Sequence, residues 1–480
     1  MKKILFLLFL FTQNTFAQNV FQSFEVTQTA EPKGGLAYLK QFIDANLQMP
    51  FQARVQRIKG KVFLNFVVET DGSISELKIL KGLHPLCDAE AMRLMKLYKA
   101  WQPALKDGQA VRQTYSYGLP FPENPVTDYD STRNSYTMYY DEQLLATNDP
   151  SAYRFRQVTP LDENGFANSD IIFEKLENSK WTLQSSLKLS VTTLKYGINE
   201  DNKIDSLDAY QIMVRDADWN NYVPVRIFQS NGQLLKSMSY GAKNQLVAQV
   251  DYFSSGAVRE TMQVVEGFEK KTLWYNSGQI QEIQERDLSD SFLDSPKVLS
   301  LWNKEGKILV KDGNGRGFYV NGNYKGKKII EQGDFANGKK QGKWTGKFAD
   351  STLYYEEFYD NDKFVKGRLI EDGQETNYTE LGKQPEFTGG VPELMVFLGT
   401  NIKYPARAMR KNISGKVLMT FVVCEDGSLC DFKMQKGIGG GCDEEATRVV
   451  KKMSGKWTPG VQRGKKVRVK YNLPVSFVLE

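Results

Sequence analysis

The sequence predicts an α+β fold: two copies of one small domain, each an antiparallel sheet with two helices, flanking an all-β region of short hairpin repeats. Three observations carry this. The two ends of the 480-residue chain repeat each other at a fixed offset. The middle repeats a shorter unit: an aromatic residue, a turn ending in glycine, and a short strand. The length also exceeds one ordinary domain, so three or so are expected.

The chain opens with Lys2 and Lys3, an apolar run over 4–11, and Thr15-Phe16-Ala17, with small residues where a signal peptidase reads. Residues 1–17 therefore read as a signal peptide cut after Ala17, too short for the roughly 20 apolar residues of a membrane helix. No cysteine follows the cut, so no lipid anchor is expected. The mature protein is expected in the periplasm, where disulfides are permitted.

The first copy spans 25–122 and the second 383–480. "IKGKVFLNFVVETDGSISELKILKG" (58–82) matches "ISGKVLMTFVVCEDGSLCDFKMQKG" (413–437). Gly60 and Gly415 stand at the same offset, 355, as Cys87 and Cys442; Trp101 matches Trp457 after one extra residue in the second copy. Each copy reads in the same order. An apolar-periodic helix comes first, over 36–47 or 394–402. A short turn of helix follows Pro50 or Pro405. A strand comes next, in which Val417, Met419, Phe421 and Val423 alternate with Leu418, Thr420 and Val422. Asp71-Gly72 and Asp426-Gly427 mark hairpin turns. A second strand, a second helix and a last strand complete the copy.

The octet "GGGCDEEA" (439–446) has the composition of a reactive site. Its counterpart, "HPLCDAEA" (84–91), lacks the glycines and also precedes an apolar-periodic helix. Acidic residues in a first helical turn complement the macrodipole, and Cys442 or Asp443 falls where a cap belongs. The octet is thus read as a helix start. A nucleophilic cysteine needs a base, and the one histidine of the chain, His84, is in the other copy. A zinc site at His84 and Cys87 would need two more ligands.

Residues 123–222 read as a β-rich lead-in and 223–380 as hairpin repeats. "FQSNGQLLKSMSY", "YFSSGAVRETMQ", "WYNSGQIQEIQ" and "LWNKEGKILVKDG" place glycines at 232, 256, 278 and 306. A period in the twenties means stacked units that cannot bury a core singly. "NEDNKIDSLD" (199–208) departs from the EF-hand pattern at Lys203 and Ile204 and reads as an acidic turn. "GNGRGFYVNG" (313–322) lies among strands and opens no helix, so it lacks the helix N-terminus of a phosphate cradle.

The balance of 63 basic against 57 acidic residues gives a net charge of +6, which does not point to nucleic acid. The sequence contains no P-loop, no G-x-G-x-x-G after a strand, no H-E-x-x-H and no G-x-S-x-G. An enzyme, a cofactor and a metal are therefore not expected.

"FTGGVPELMVFLGTNIKYP", "GKVLMTFVVCEDGS", "GCDEEATRVVKKM", "KWTPG" and "VRVKYNLPVSF" resemble the C-terminal domain of TonB-type energy transducers, as do their counterparts in the first copy. The resemblance implies about three antiparallel strands with two helices packed on them. It also implies a partner, outer-membrane TonB-dependent receptors or other envelope proteins, bound by adding an extended segment to a sheet edge. TonB transducers keep an N-terminal membrane helix and a long Pro-rich spacer. Here the apolar run is short and 16 prolines make no rod, so contact with an inner-membrane motor is not expected. The middle resembles MORN-type repeats of bacterial secreted proteins, and 139–165 the lead-in such proteins carry. The alternative function is an envelope scaffold with the repeats as its protein-binding surface.

The candidate receiving edge is Lys466, Val467, Arg468, Val469, Lys470 and Tyr471. Val467, Val469 and Tyr471 are expected in the core, with Lys466, Arg468 and Lys470 outward, steering acidic peptides. The matching strand of the first copy has only Arg112 as a basic residue, so the second copy is expected to hold the peptide. Lysines on an edge also discourage aggregation. Cys424 and Cys430 flank the Asp426-Gly427 turn and form a candidate disulfide. They stand opposite each other only if the loop has an odd number of residues centred on Gly427; a two-residue loop pairs Cys424 with Leu429 instead. Cys87 and Cys442, each opening a helix, are expected to be reduced or buried.

Overall fold

The computed structural model describes residues 19–478 apart from 125, 127, 201–202, 242, 290–294 and 325–326. The signal peptide expected over 1–17 lies outside the described residues, as does part of the acidic turn near 200. The chain forms two compact units, one up to Ile308 and one from Leu309 on.

The first unit begins with β1 (Val20–Phe21), α1 (Leu36–Asn46), α2 (Phe51–Val55), β2 (Gly60–Val68), β3 (Ile74–Lys81), α3 (Pro85–Leu97) and β4 (Gln109–Phe121). The strands lie in the order β1-β4-β2-β3. The period-2 pattern buries Val62, Leu64, Phe66 and Val68 of β2 on one face. Against it lie Leu39, Phe42 and Ile43 of α1 and Cys87, Ala91, Leu94 and Met95 of α3, at helical spacing. Each buried Val, Leu, Ile, Phe or Met among them contributes about 1.5–3 kcal/mol by leaving water. His84 caps α3, its Nδ1 accepting from the Leu86 N–H at 3.3 Å, and Pro85 fills the first turn. In the β2–β3 turn, Gly72 has φ 81°, and a Cβ there would come 2.4 Å from the Trp101 carbonyl oxygen. Gly427 has φ 83° and meets the Trp457 carbonyl in the same way, so glycine is required twice over at both turns.

An antiparallel sheet follows, ordered 180–187, 171–177, 155–160, 135–140 and 129–130. Phe51 of α2 packs edge-on against its Tyr129 and Tyr136. A strand-by-strand antiparallel ladder then runs from Leu189–Glu200 to Lys297–Trp302 in this unit. The sequence places the first repeat at 223; the ladder begins at Leu189, since its long first hairpin lacks the aromatic-glycine signature. Gly232, Gly256, Gly278 and Gly306 each occupy a turn with φ of 83–89° and donate to the carbonyl three residues back. Their spacing covers two strands and two turns, which sets the four turns in a row along one edge of the sheet.

The first domain rests on that row. Val258 N–H donates to Asn46 Oδ1 at 2.7 Å, and Lys99 N–H to the Ser277 carbonyl at 2.7 Å. Phe42 and Tyr98 fill the space beside Gly278 that a Cβ would occupy. Trp302 Nε1 donates to Tyr38 Oη at 3.1 Å, with the rings edge-on.

The second unit carries a similar ladder from Asn314–Tyr324 to Gln374–Tyr378; of the glycine-rich run at 313–322, Gly313 lies in the preceding turn and the rest in this first strand. The second domain follows: α4 (Gly390–Asn401), α5 (Ala406–Arg410), β5 (Gly415–Val423), β6 (Leu429–Lys436), α6 (Cys442–Lys451), β7 (Lys465–Val467) and β8 (Val469–Phe477). The order is β6-β5-β8, while β7 belongs to a separate small sheet with 460–462 and 382–383. Arg463, at the tip between 460–462 and β7, points into the ladder and donates through Nε to Glu357 at 2.6 Å. Glu357 is fully buried and also accepts from the Tyr359 and Tyr378 hydroxyls, each at 2.8 Å.

Candidate peptide-binding edge

The octet at 439–446 is a helix start. The cap position falls on Gly441, φ 95°, one residue before Cys442. Asp443 turns back to accept from the Ile438 N–H at 2.8 Å and from Gly439. Glu445 pairs with Arg448 and accepts from the Lys403 N–H, and these bonds hold its carboxyl below the usual range against the opposing effect of burial. Cys442 and Cys87 are fully buried, and burial pushes both thiols up, away from the thiolate a nucleophile needs.

The six-residue edge read from sequence is divided in the structure. Lys466 and Val467 lie in β7 and pair with Val461 and Gly460. Val469, Lys470 and Tyr471 lie in β8 and pair with Val423, Val422 and Phe421 of β5. Arg468 stands at the break. The expectation that Val467, Val469 and Tyr471 enter the core is corrected for the two valines: all three are half-buried, Tyr471 packs against the core, and Leu473, Val475 and Phe477 are buried within it. The cause is the departure of β7 from the main sheet to join 460–462, which lifts this end away from the helices. Tyr471 still packs on Phe421 and Trp457. Lys466, Arg468 and Lys470 are exposed, as their alternation requires.

Among the described residues no strand pairs with the outer side of β8. Pro474 has no N–H, and proline inside a ladder is confined to the solvent-facing side of an edge strand. By alternation, the backbone groups of Arg468, Lys470, Asn472 and Ser476 face that open side. Lys465 pairs with Glu371, and Arg468 with Asp431 at 2.8 Å; Lys466 and Lys470 have no ion-pair partner among the described residues.

The first copy differs at the matching place. The outer side of β4 at Arg112 and Gln113 is occupied by Val20 and Phe21 of β1, running parallel. Two residues carry no readable periodicity, so sequence reasoning had no signal for this strand. Arg112 is held by both oxygens of Glu69, at 2.8 and 2.9 Å, and by Glu76 at 3.1 Å.

Cys424 and Cys430 occupy the positions of Glu69 and Ser75, which hydrogen-bond to each other in the first copy. The turn is neither a two-residue loop nor one that sets the cysteines opposite each other. Cys424 faces Ser428, Leu429 faces Val423, and Cys430 faces Val422, with a bulge between Thr420 and Val422. The two thiols nevertheless meet diagonally, with Sγ atoms 2.7 Å apart. We expect them to bond in an oxidising environment, each thiol giving up a proton and an electron to a disulfide-class oxidant. Alkylation without reduction, read by mass, should leave Cys424 and Cys430 unmodified. Two alkylated thiols at these positions would exclude the bond.

Residues 45–121 and 400–479 each match the family model described as Gram-negative bacterial TonB protein C-terminal. Comparison with curated proteins gives no match. Among solved structures, the chain is similar to the C-terminal domain of TonB from Helicobacter pylori, determined by NMR in solution. The identity is 21%, over 18% of this chain and 91% of that chain, with a TM-score of 0.16.

Proposed function

We propose that this chain, with a TonB C-terminal domain at each end, is a non-enzymatic periplasmic binding protein of TonB-linked transport. It takes an extended segment of an outer-membrane receptor onto the outer edge of β8 by β-augmentation. The open edge of β8 is the observation that carries this reading: it offers a row of N–H and C=O groups to an added strand, which supplies affinity through the backbone. The exposed Lys466, Arg468 and Lys470 beside it favour an acidic segment. The Val20–Phe21 strand on the first copy supports the same reading, because it is an added strand on the corresponding edge. Among the described residues no helix is long and apolar enough to cross a membrane. The hairpin region between the two domains is read as MORN-type repeats.

The test is calorimetric titration of the full chain with extended peptides taken from TonB-dependent receptors. Acidic peptides should bind, and their affinity should fall several-fold as salt rises from 0.05 to about 0.5 M, since exposed charges are screened over about 10 Å at 0.1 M. No binding by any such peptide would favour the scaffold function, with the hairpin ladder as the interacting surface.

A further inference from the structure

We infer that residues 19–25 are a displaceable plug: the first domain carries a receiving edge of its own, closed by the N-terminal arm of the same chain. The inference rests on the proposed binding mode but assigns a second site and its resident ligand. Val20 and Phe21 run parallel to Arg112 and Gln113 on the outer side of β4, while Gln113 pairs on its other side with Val68 of β2. Arm and sheet are therefore joined as an added strand is joined. The Phe21 ring lies 4.3 Å from Lys106 Nζ, a second hold on the arm. The arm is anchored just beyond: Thr27 and Gln28 N–H donate to the Leu105 carbonyl at 2.8 and 3.0 Å, and Ala30 N–H to Gln113 Oε1 at 2.6 Å. That anchor keeps the plug at high effective concentration.

The hold itself is slight. The ladder covers two residues, Val20 is 37% exposed and Phe24 is 84% exposed. In the second domain the positions matching Val20 and Phe21 are Glu375 and Thr376, which pair with Ile370 and Leu369 in the hairpin ladder. The chain thus reaches that domain from a five-residue strand of the ladder rather than a two-residue one, and among the described residues Arg468 and Val469 keep an open outer side. The two ends differ in access, one edge open and one closed by its own chain.

The test uses the full chain with Val20→Pro and Phe21→Pro; by alternation one of these two N–H groups faces β4, and the pair of substitutions removes it. By the alternation set by Pro120 in β4, the Arg112 amide faces the arm, so its hydrogen exchange reports occupancy. In the double variant that exchange should rise at least about tenfold, as local opening is no longer opposed. A synthetic peptide of residues 19–25, added in excess, should slow it again. In an Arg468→Pro background, the receptor peptide that binds the unmutated chain should bind again once the arm is disabled. Unchanged Arg112 exchange, or no re-protection by the 19–25 peptide, would overturn the plug. Re-protection by that peptide with no receptor peptide binding any form would keep the plug and remove the receptor function. Fast exchange and re-protection without restored receptor binding would overturn the assignment of this edge as a second receptor site.

Discussion

Arg468→Pro should abolish binding of receptor-derived extended peptides by the second domain, whereas Arg468→Ala should weaken it a few-fold. The two substitutions remove different things. Alanine removes a charge whose pairing with Asp431 is mostly exposed, 56% and 61% for the two side chains. Such a pair contributes about 0–1 kcal/mol, so neither folding nor binding should change much. Proline also removes the Arg468 N–H, which faces the open side where an added strand would accept it. The ladder between β8 and β5 begins at Val469, so the lost donor is not one the fold uses. Pro474 already closes the far end of the edge, leaving Arg468, Lys470 and Asn472 as the outward groups between. Losing the first of three outward donors forfeits a hydrogen bond and its register together. A few kcal/mol lost at micromolar affinity leaves no measurable binding, since each 1.4 kcal/mol is about tenfold. The variant must melt as the parent does. Full-strength binding by a folded Arg468→Pro chain would remove β8 as the receiving edge.

Arg463→Ala should destabilise the second unit by about 3–5 kcal/mol, the usual cost of leaving one partner of a buried pair behind. Glu357 is fully buried, and its charge is matched there by the Arg463 guanidinium, three-quarters buried and stacked 3.8 Å from the Tyr355 ring centre. Burial and then the Glu357 charge push the Tyr359 and Tyr378 phenols up, so both stay donors to that carboxylate. Arg463→Lys should recover little, because a lysine neither stacks as a plane nor keeps the fixed geometry of the Nε donor. Pairing Arg463→Met with Glu357→Gln should cost less than Arg463→Met alone, because the buried charge leaves with its partner while the tyrosines keep an acceptor. Hydrogen exchange read on peptides from 353–378 and 460–467 avoids assuming that the whole chain unfolds in one step. A loss under about 1 kcal/mol for Arg463→Ala would mean that water satisfies Glu357 and that the tip does not lock onto the ladder.

The sequence by itself determined the paired end domains, the order of helices and strands in each, the hairpin turns and the helix starts. Those features are written locally. Alternation in β5 sorts Val417, Met419, Phe421 and Val423 to the core face, and Gly72 and Gly427 stand where only glycine fits beside a tryptophan carbonyl. The reading of "GGGCDEEA" as a helix start also needed only the internal repeat and the chemistry of a first turn. Which edge is open was decided by the tertiary structure. A period of two reports the two faces of a strand, through side chains that differ; pairing left or right is done by backbone groups common to every residue. Pro474 is the exception that carries edge information in sequence. The division at Arg468, the diagonal meeting of Cys424 and Cys430, and the seat of Arg463 on Glu357 all depend on where distant segments pass. So does the arm at Val20 and Phe21, too short to have a pattern and placed by the path of the chain around Leu105 and Gln113.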